Sequence, residues 1–320
     1  MGRHSTSQQA RVFSGPQGQT SRDGGLRFLL CGNPCYDYNA LSGFEGINFI
    51  LYCMRKGKIF KISNKQIDDA FSVHLLNGGY KAYIERYMPL SRLLDFIDNN
   101  LLTFVSPEMW DDPFELLYYN ADYTQIANFQ KPQSLYCLCV RNSNENEEAS
   151  WKAYASSNEP IVKIIIEFSK LLEELSKNSK SYDIYAGKVK YVEHGTNIVR
   201  LHESNEYRQE YFADFNIESY IKLMCVKRLA FKYEDEWRFF AIPKSNVETE
   251  NKLVKLNIDS SIIRQITLEP QLRKTEAEDK LYQAKCRAIK KMIKQRIPNM
   301  KVVRSSLYDN IHEIITVKSL

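Results

Sequence analysis

The densest group of side chains able to do chemistry is Tyr233-Glu234-Asp235-Glu236-Trp237-Arg238. Glu234 and Glu236 lie two apart at the start of an expected strand. Alternation along that strand would set both carboxylates, and Arg238 after them, on one face. Neighbouring carboxylates split in pKa, which suits general acid/base work or the stabilisation of a developing positive charge. The plainer alternative is a solvated strand edge whose charges deter aggregation.

Three further groups carry chemical side chains. Arg86-Tyr87 closes a short strand candidate just before Pro89. A guanidinium there can grip phosphates through its planar fork and a Tyr can stack on a flat ring; a surface Arg beside a core Tyr is the commoner arrangement. Trp110-Asp111-Asp112-Pro113-Phe114-Glu115 is a loop stiffened by its Asp-Pro step. Asp112 and Glu115 could bind Mg²⁺ or orient a substrate hydroxyl, or Asp112 could cap the next segment while Trp110 and Phe114 fill the core. Ser150-Trp151 and Tyr154 put a hydroxyl beside two aromatics on one helical face, a pattern that core packing also produces. There is no Gly-x-Gly-x-x-Gly, P-loop, His-Glu-x-x-His or Gly-x-Ser-x-Gly motif. His4, His74, His194, His202 and His312 form no His-x-x-x-His pair, and no metal is expected.

These groups need elements to hold them. Periodicity predicts helices at 66–76, from Pro89 through Ile97, at 148–155, 171–175 and 217–229, and from Thr275 to Ile297. The last has an apolar stripe of Leu281, Ala284, Ala288, Met292 and Ile293. Strands are expected at 83–87, 101–105, 135–140, 161–168, 188–192, 236–242, 253–258 and 263–268, with short strand-like runs at 301–304 and 311–317. Strands interrupted irregularly by helices favour an α+β fold, with a mixed, mostly antiparallel sheet flanked by helices around a single core. Residues 1–53 are expected to be a poorly ordered extension, with one α+β domain over 54–320.

A net charge of +5 permits nucleic acid or nucleotide phosphates as partners without requiring them. Cys31, Cys35, Cys53, Cys137, Cys139, Cys225 and Cys286 are odd in number and scattered, which does not read as a disulfide framework. No apolar run approaches the ~20 residues that span a bilayer, and the start lacks a secretory signal pattern. A cytoplasmic protein with no membrane association is therefore expected. The Lys/Arg-rich helix from Arg273 to Arg296 could dock RNA or DNA, or be a solvated helix face.

The order of the motifs resembles the bacterial family called domain of unknown function 2971. Its members show an aromatic-basic strand and helix, an F-N-D-P-F-E-like loop and a C-x-S … W-x-x-Y-A stretch. A Y-E-x-E-W-R strand and then I-x-x-I-x-L-G follow. The counterparts here are Arg86-Tyr87, Trp110 to Glu115, Cys137-Leu138-Cys139 with Trp151 to Ala155, Tyr233 to Arg238 and Ile263 to Glu269, over about residues 80–270. Asp111, Val140 and Glu269 stand where the family has Asn, Ser and Gly.

A further resemblance is to ADP-ribosyltransferases, which place an Arg-bearing strand, middle aromatics and a late Glu-x-Glu in this order. That resemblance implies NAD as substrate, with Arg86 on its phosphates and Tyr87, Trp151 or Tyr154 stacking near the nicotinamide. Glu236 would stabilise an oxocarbenium-like transition state and Glu234 would activate a nucleic-acid or protein acceptor. Asp112, Glu115 and Arg238 would hold substrate. A toxin or phage-defence effector is the implied role. Two other readings stay open: a Mg²⁺-dependent nuclease using Asp112, Glu115, Glu234 and Glu236, and a non-catalytic interaction protein whose motifs are all structural.

Overall fold

Runs of β-branched and aromatic residues alternate irregularly with helical segments, and that order decides the architecture. The computed structural model describes residues 59–62, 83–142, 147–154, 159–193, 203, 205–245, 247 and 252–309. The expected extension over 1–53, the helix at 66–76 and the strand-like run at 311–317 lie outside them.

The described elements are, in chain order, β1 (Phe60–Ile62), β2 (Tyr83–Pro89), α1 (Leu90–Asn99), β3 (Leu101–Val105), β4 (Tyr136–Asn142) and α2 (Glu147–Tyr154). They continue with β5 (Ile161–Glu167), α3 (Phe168–Ser176), β6 (Tyr182–Lys188), β7 (Lys190–Val192), α4 (Asn205–Phe212) and α5 (Ile217–Leu223). Then come β8 (Val226–Arg228), β9 (Glu236–Pro243), β10 (Leu253–Asn257), β11 (Ile263–Leu268), α6 (Glu276–Arg296) and β12 (Val302–Arg304).

Among the described residues ten strands make one sheet in the order β1-β6-β9-β4-β2-β5-β11-β12, with β3 bonded to β4 and β10. All pairs in it are antiparallel except β11 with β12, so the sheet is mixed and mostly antiparallel, as expected. β7 and β8 form a separate parallel pair. One face of the large sheet packs on α1, α3 and α6 through Leu93, Phe96, Leu171, Leu175, Ile289 and Ile293. The other carries Cys137, Tyr185 and Phe240 against Tyr220, Ile221 and Met224 of the α5 region. No helix of the described residues is long and apolar enough to cross a membrane.

The sheet forks at β4. On one side β4 pairs with β9 from Tyr136 to Arg141. On the other it meets β2 only at Ile84–Asn142 and Glu85–Arg141, and β3 only at Val105–Cys137. β2 instead follows β5 along its whole length. The edge of β4 from Leu138 to Val140 is therefore without a strand partner on that side, and Arg86 Nη1 reaches across to the Cys139 carbonyl.

Several elements differ from expectation. The helix expected at 217–229 stops at Leu223, and Val226-Lys227-Arg228 becomes β8. The strand expected at 188–192 begins instead at Tyr182 and breaks at Val189 into β6 and β7. α4 was not foreseen. In α6 the buried side chains are Tyr282, Ile289 and Ile293, whereas Leu281 is 70% exposed. Two apolar stripes compete on that helix, and the one with the larger β-branched and aromatic side chains removes more area from water.

Candidate functional site

Asp235 decides where the two glutamates go. The 3₁₀ turn Leu229–Glu234 ends at Asp235, whose backbone is left-handed at φ 40°. Asp tolerates that region, and here Asn142 Nδ2 donates to its carboxylate at 2.7 Å while Lys188 lies 2.9 Å away. The strand begins only at Glu236. Glu234 is thus not the first residue of an alternating row, as the spacing suggested; it ends the preceding turn. Glu236 and Arg238 do share a face of β9, and Glu234 is folded back beside them by the Asp235 reversal.

Lys227 on β8 joins the carboxylates. Its Nζ lies 2.6 Å from Glu234 Oε2, 3.1 Å from Glu115 Oε1 and 3.4 Å from Glu236 Oε2. Arg238, almost fully buried, donates from Nε to Glu236 Oε1 at 2.9 Å, from Nη2 to Glu115, and from Nη1 to the Met224 carbonyl at 2.6 Å. Trp110 lies under its guanidinium at 4.2 Å from the ring centre. Gly187, opposite Arg238 on β6, lets Cys225 approach: a Cβ there would come within 2.9 Å of the Cys225 sulfur.

Three carboxylates therefore share two buried cations, which leaves one negative charge uncompensated. The Glu234 side chain is 25% exposed, against 5% and 6% for Glu115 and Glu236, so Glu234 is the open end of the network. Burial, then the neighbouring Glu236 charge, raise its carboxyl to about 7 despite Lys227. For Glu236 burial also pushes upward, but Arg238 and Lys227 outweigh it and hold the carboxyl down at about 2.

These directions predict a pH dependence of stability. Glu234, raised in the folded state, stabilises fully below 4.5 and loses that contribution as pH rises to about 7. Glu236, depressed, contributes above 4.5 and loses its contribution as pH falls towards 2. Urea unfolding of the wild type across this range should therefore show stability declining between pH 4.5 and 7 by more than in Glu234→Gln, where that slope component is gone.

Arg86 lies in the fork. Its Nη1 donates to the Cys139 carbonyl at 2.6 Å, and its buried Nε has no hydrogen-bond partner among the described residues. Burial lowers its pKa, opposed by the nearby Tyr154 and Cys139. Tyr154 stacks on Tyr87 at 5.3 Å and 10°, and Trp151 meets Tyr87 edge-on at 4.8 Å. Tyr154 is 44% exposed as a residue, while crowding around its hydroxyl raises the phenol, which is in electrostatic range of Cys139, Arg86, Glu234 and Glu236. Cys139 links the two halves: its carbonyl takes Arg86 and its side chain hydrogen-bonds Glu236.

Of the sequence-derived residues, Arg86, Tyr154, Glu234 and Glu236 converge, with Tyr87 and Trp151 behind Tyr154. Glu115 and Arg238 lie in the ionic network beneath. Asp112 stands apart from the glutamates: its Oδ2 accepts from Arg228 Nε at 3.0 Å and its Oδ1 from the Phe114 amide at 3.1 Å. Among the described residues no group of three or more His, Cys, Asp or Glu is arranged to hold a metal ion. Sequence reasoning missed Lys227, and Cys139 entered it only as a counterpart of the family's C-x-S motif. The only signal for Lys227 was its place directly after the apolar run Met224-Cys225-Val226, since its partners come together through the fold.

A family model described as a protein of unknown function, DUF2971, matches residues 150–239. That stretch takes in Ser150 to Tyr154 and Tyr233 to Arg238, but not Arg86 or the loop from Trp110 to Glu115. By sequence, no curated protein matches the chain. Two solved structures of DarT from Thermus sp. 2.9 are similar to it, one in complex with NAD+ and one with carba-NAD+. The first is 8% identical, covers 71% of this chain and 96% of its own, and has a TM-score of 0.30. The second is 9% identical, covers 70% and 94%, and also has a TM-score of 0.30.

Proposed function

We propose that the chain is an ADP-ribosyltransferase-like enzyme that takes ADP-ribose from NAD at the fork between β2 and β4. The observation that carries this reading is the excess of three carboxylates over the cations Lys227 and Arg238, open at Glu234, which shares its surroundings with Arg86 and the Tyr154 hydroxyl. Breaking the bond between ribose C1′ and nicotinamide sends the electron pair to nicotinamide and builds positive charge on the sugar. A fixed negative charge nearby lowers that barrier. Glu236, held ionised by Arg238 and Lys227, supplies such a field. Glu234, with a carboxyl poised near neutrality, takes the proton from the acceptor as the acceptor attacks C1′. The products are nicotinamide, a proton and the ADP-ribosylated acceptor, a nucleic acid or a protein.

In this scheme Arg86 turns its free donor edge to the NAD phosphates, and the Tyr87-Trp151-Tyr154 cluster forms an aromatic wall for the nicotinamide. Charge-assisted hydrogen bonds to phosphate are each worth about 1.5–3 kcal/mol. Arg86→Ala should therefore raise the KM for NAD about 10- to 100-fold, read as nicotinamide release from NAD. An unchanged KM in a folded Arg86→Ala protein would remove Arg86 from the site. No nicotinamide release by the wild type, with any nucleic-acid or protein acceptor supplied, would overturn the reading.

A further inference from the structure

From Lys280 to Tyr308 the sequence holds nine Lys and Arg and no Asp or Glu. The chain's net charge is +5, so everything outside this segment is acidic overall. Several cations of the segment are neutralised in the fold. Lys280 pairs with Glu276, Lys285 with Glu269 at 2.6 Å, Arg296 with Asp98 at 2.8 Å, and Arg304 with Asp309.

Arg287, Lys290, Lys291 and Lys294 are different. All are exposed, and among the described residues none has a carboxylate within ion-pair reach. Their helical neighbours three and four residues away are all either uncharged or one another, so no local acid can serve them. The spacing i, i+3, i+4, i+7 sets the four on one face of α6, over about 10 Å of helix. Like charges one turn apart, here Arg287 with Lys291 and Lys290 with Lys294, destabilise a helix. The helix dipole favours cations only in the last turn, which accounts for Lys294 and Arg296 but not for Arg287, Lys290 and Lys291.

We propose that this face of α6 docks the phosphodiester backbone of a nucleic acid without reading its sequence. Evenly spaced cations with no partners of their own match a polymer of evenly spaced phosphates, and backbone contacts position a protein without specifying bases. A lipid surface fits less well. The main apolar face of α6, with Tyr282, Ile289 and Ile293, is already buried, and Leu281 and Met292 are the only large apolar side chains exposed on the helix. The inference does not rest on the reading of the Glu234 site, because binding is measured without catalysis.

The test is fluorescence anisotropy of the full chain with a labelled duplex DNA of random sequence. If the four cations each neutralise a phosphate, log K should fall with log salt at a slope of about −3.6. Lys290→Glu with Lys294→Glu should weaken binding about tenfold or more and reduce the slope by about two. Arg287→Ala with Lys291→Ala should act in the same direction, and carries the test if circular dichroism shows the first variant to be misfolded. Lys177→Glu with Lys180→Glu, an equal charge change on another surface, should leave affinity within about twofold. An equal loss in that control would overturn the proposal. So would polyglutamate or phosphatidylserine vesicles binding as tightly as DNA through the same lysines.

Discussion

Arg238→Met is expected to destabilise the protein by about 3–5 kcal/mol, although the two side chains are of similar volume. The guanidinium holds Glu236, Glu115 and the Met224 carbonyl and lies on Trp110. Without it, three carboxylates are left to Lys227 alone, and the Met224 carbonyl loses its partner in a buried setting. For a domain of this size the loss corresponds to a melting temperature lower by about 10 °C. The mechanism also predicts a rescue. Adding Glu115→Gln and Glu236→Gln removes the stranded charges and should recover part of the loss, a coupling that only interacting residues show. Urea titrations of the single and triple variants measure both. A change below about 1 kcal/mol on Arg238→Met would mean that solvent reaches this network.

The second large effect falls on Glu234. Glu234→Gln keeps the side chain's shape and a hydrogen-bonding group for Lys227 but cannot take a proton. Loss of a general base costs about 10²- to 10⁴-fold in rate. The variant should fold normally, since a neutral amide at this partly buried position is not penalised by the adjacent Glu236 charge. In the wild type, transfer should rise with pH through about 7 as Glu234 loses its proton, and that limb should vanish in Glu234→Gln. A rate loss with the limb intact would assign the base to another group.

The sequence makes some of this legible. Leu101–Val105 and Ile263–Leu268 are short apolar runs closed by turn residues, and both strands fall where that pattern puts them. The resemblance puts Arg86, Trp151, Tyr154 and the glutamates into one ordered set along the sequence. What could not be read was tertiary in origin. Val226-Lys227-Arg228 has no local breaker before it, so periodicity continues the helix through it; pairing with Lys190–Val192 makes it a strand and carries Lys227 to the carboxylates. Asp235 looked like one more charge in a row, yet its left-handed backbone takes Glu234 off the strand and onto Lys227. In α6 the exposed stripe containing Leu281 matched helical periodicity as well as the buried one did. The larger side chains of the buried stripe, Tyr282, Ile289 and Ile293, decide between them.

The proposed activity requires NAD to sit in the fork between β2 and β4. A structure determined with an unreactive NAD analogue tests that most directly. The pyrophosphate is expected on Arg86, the nicotinamide against the Tyr87-Trp151-Tyr154 cluster and the ribose C1′ facing Glu234 and Glu236. An analogue bound elsewhere, for example in the roughly 530 Å³ cavity between Arg273, Asp279 and Arg304, would contradict this arrangement.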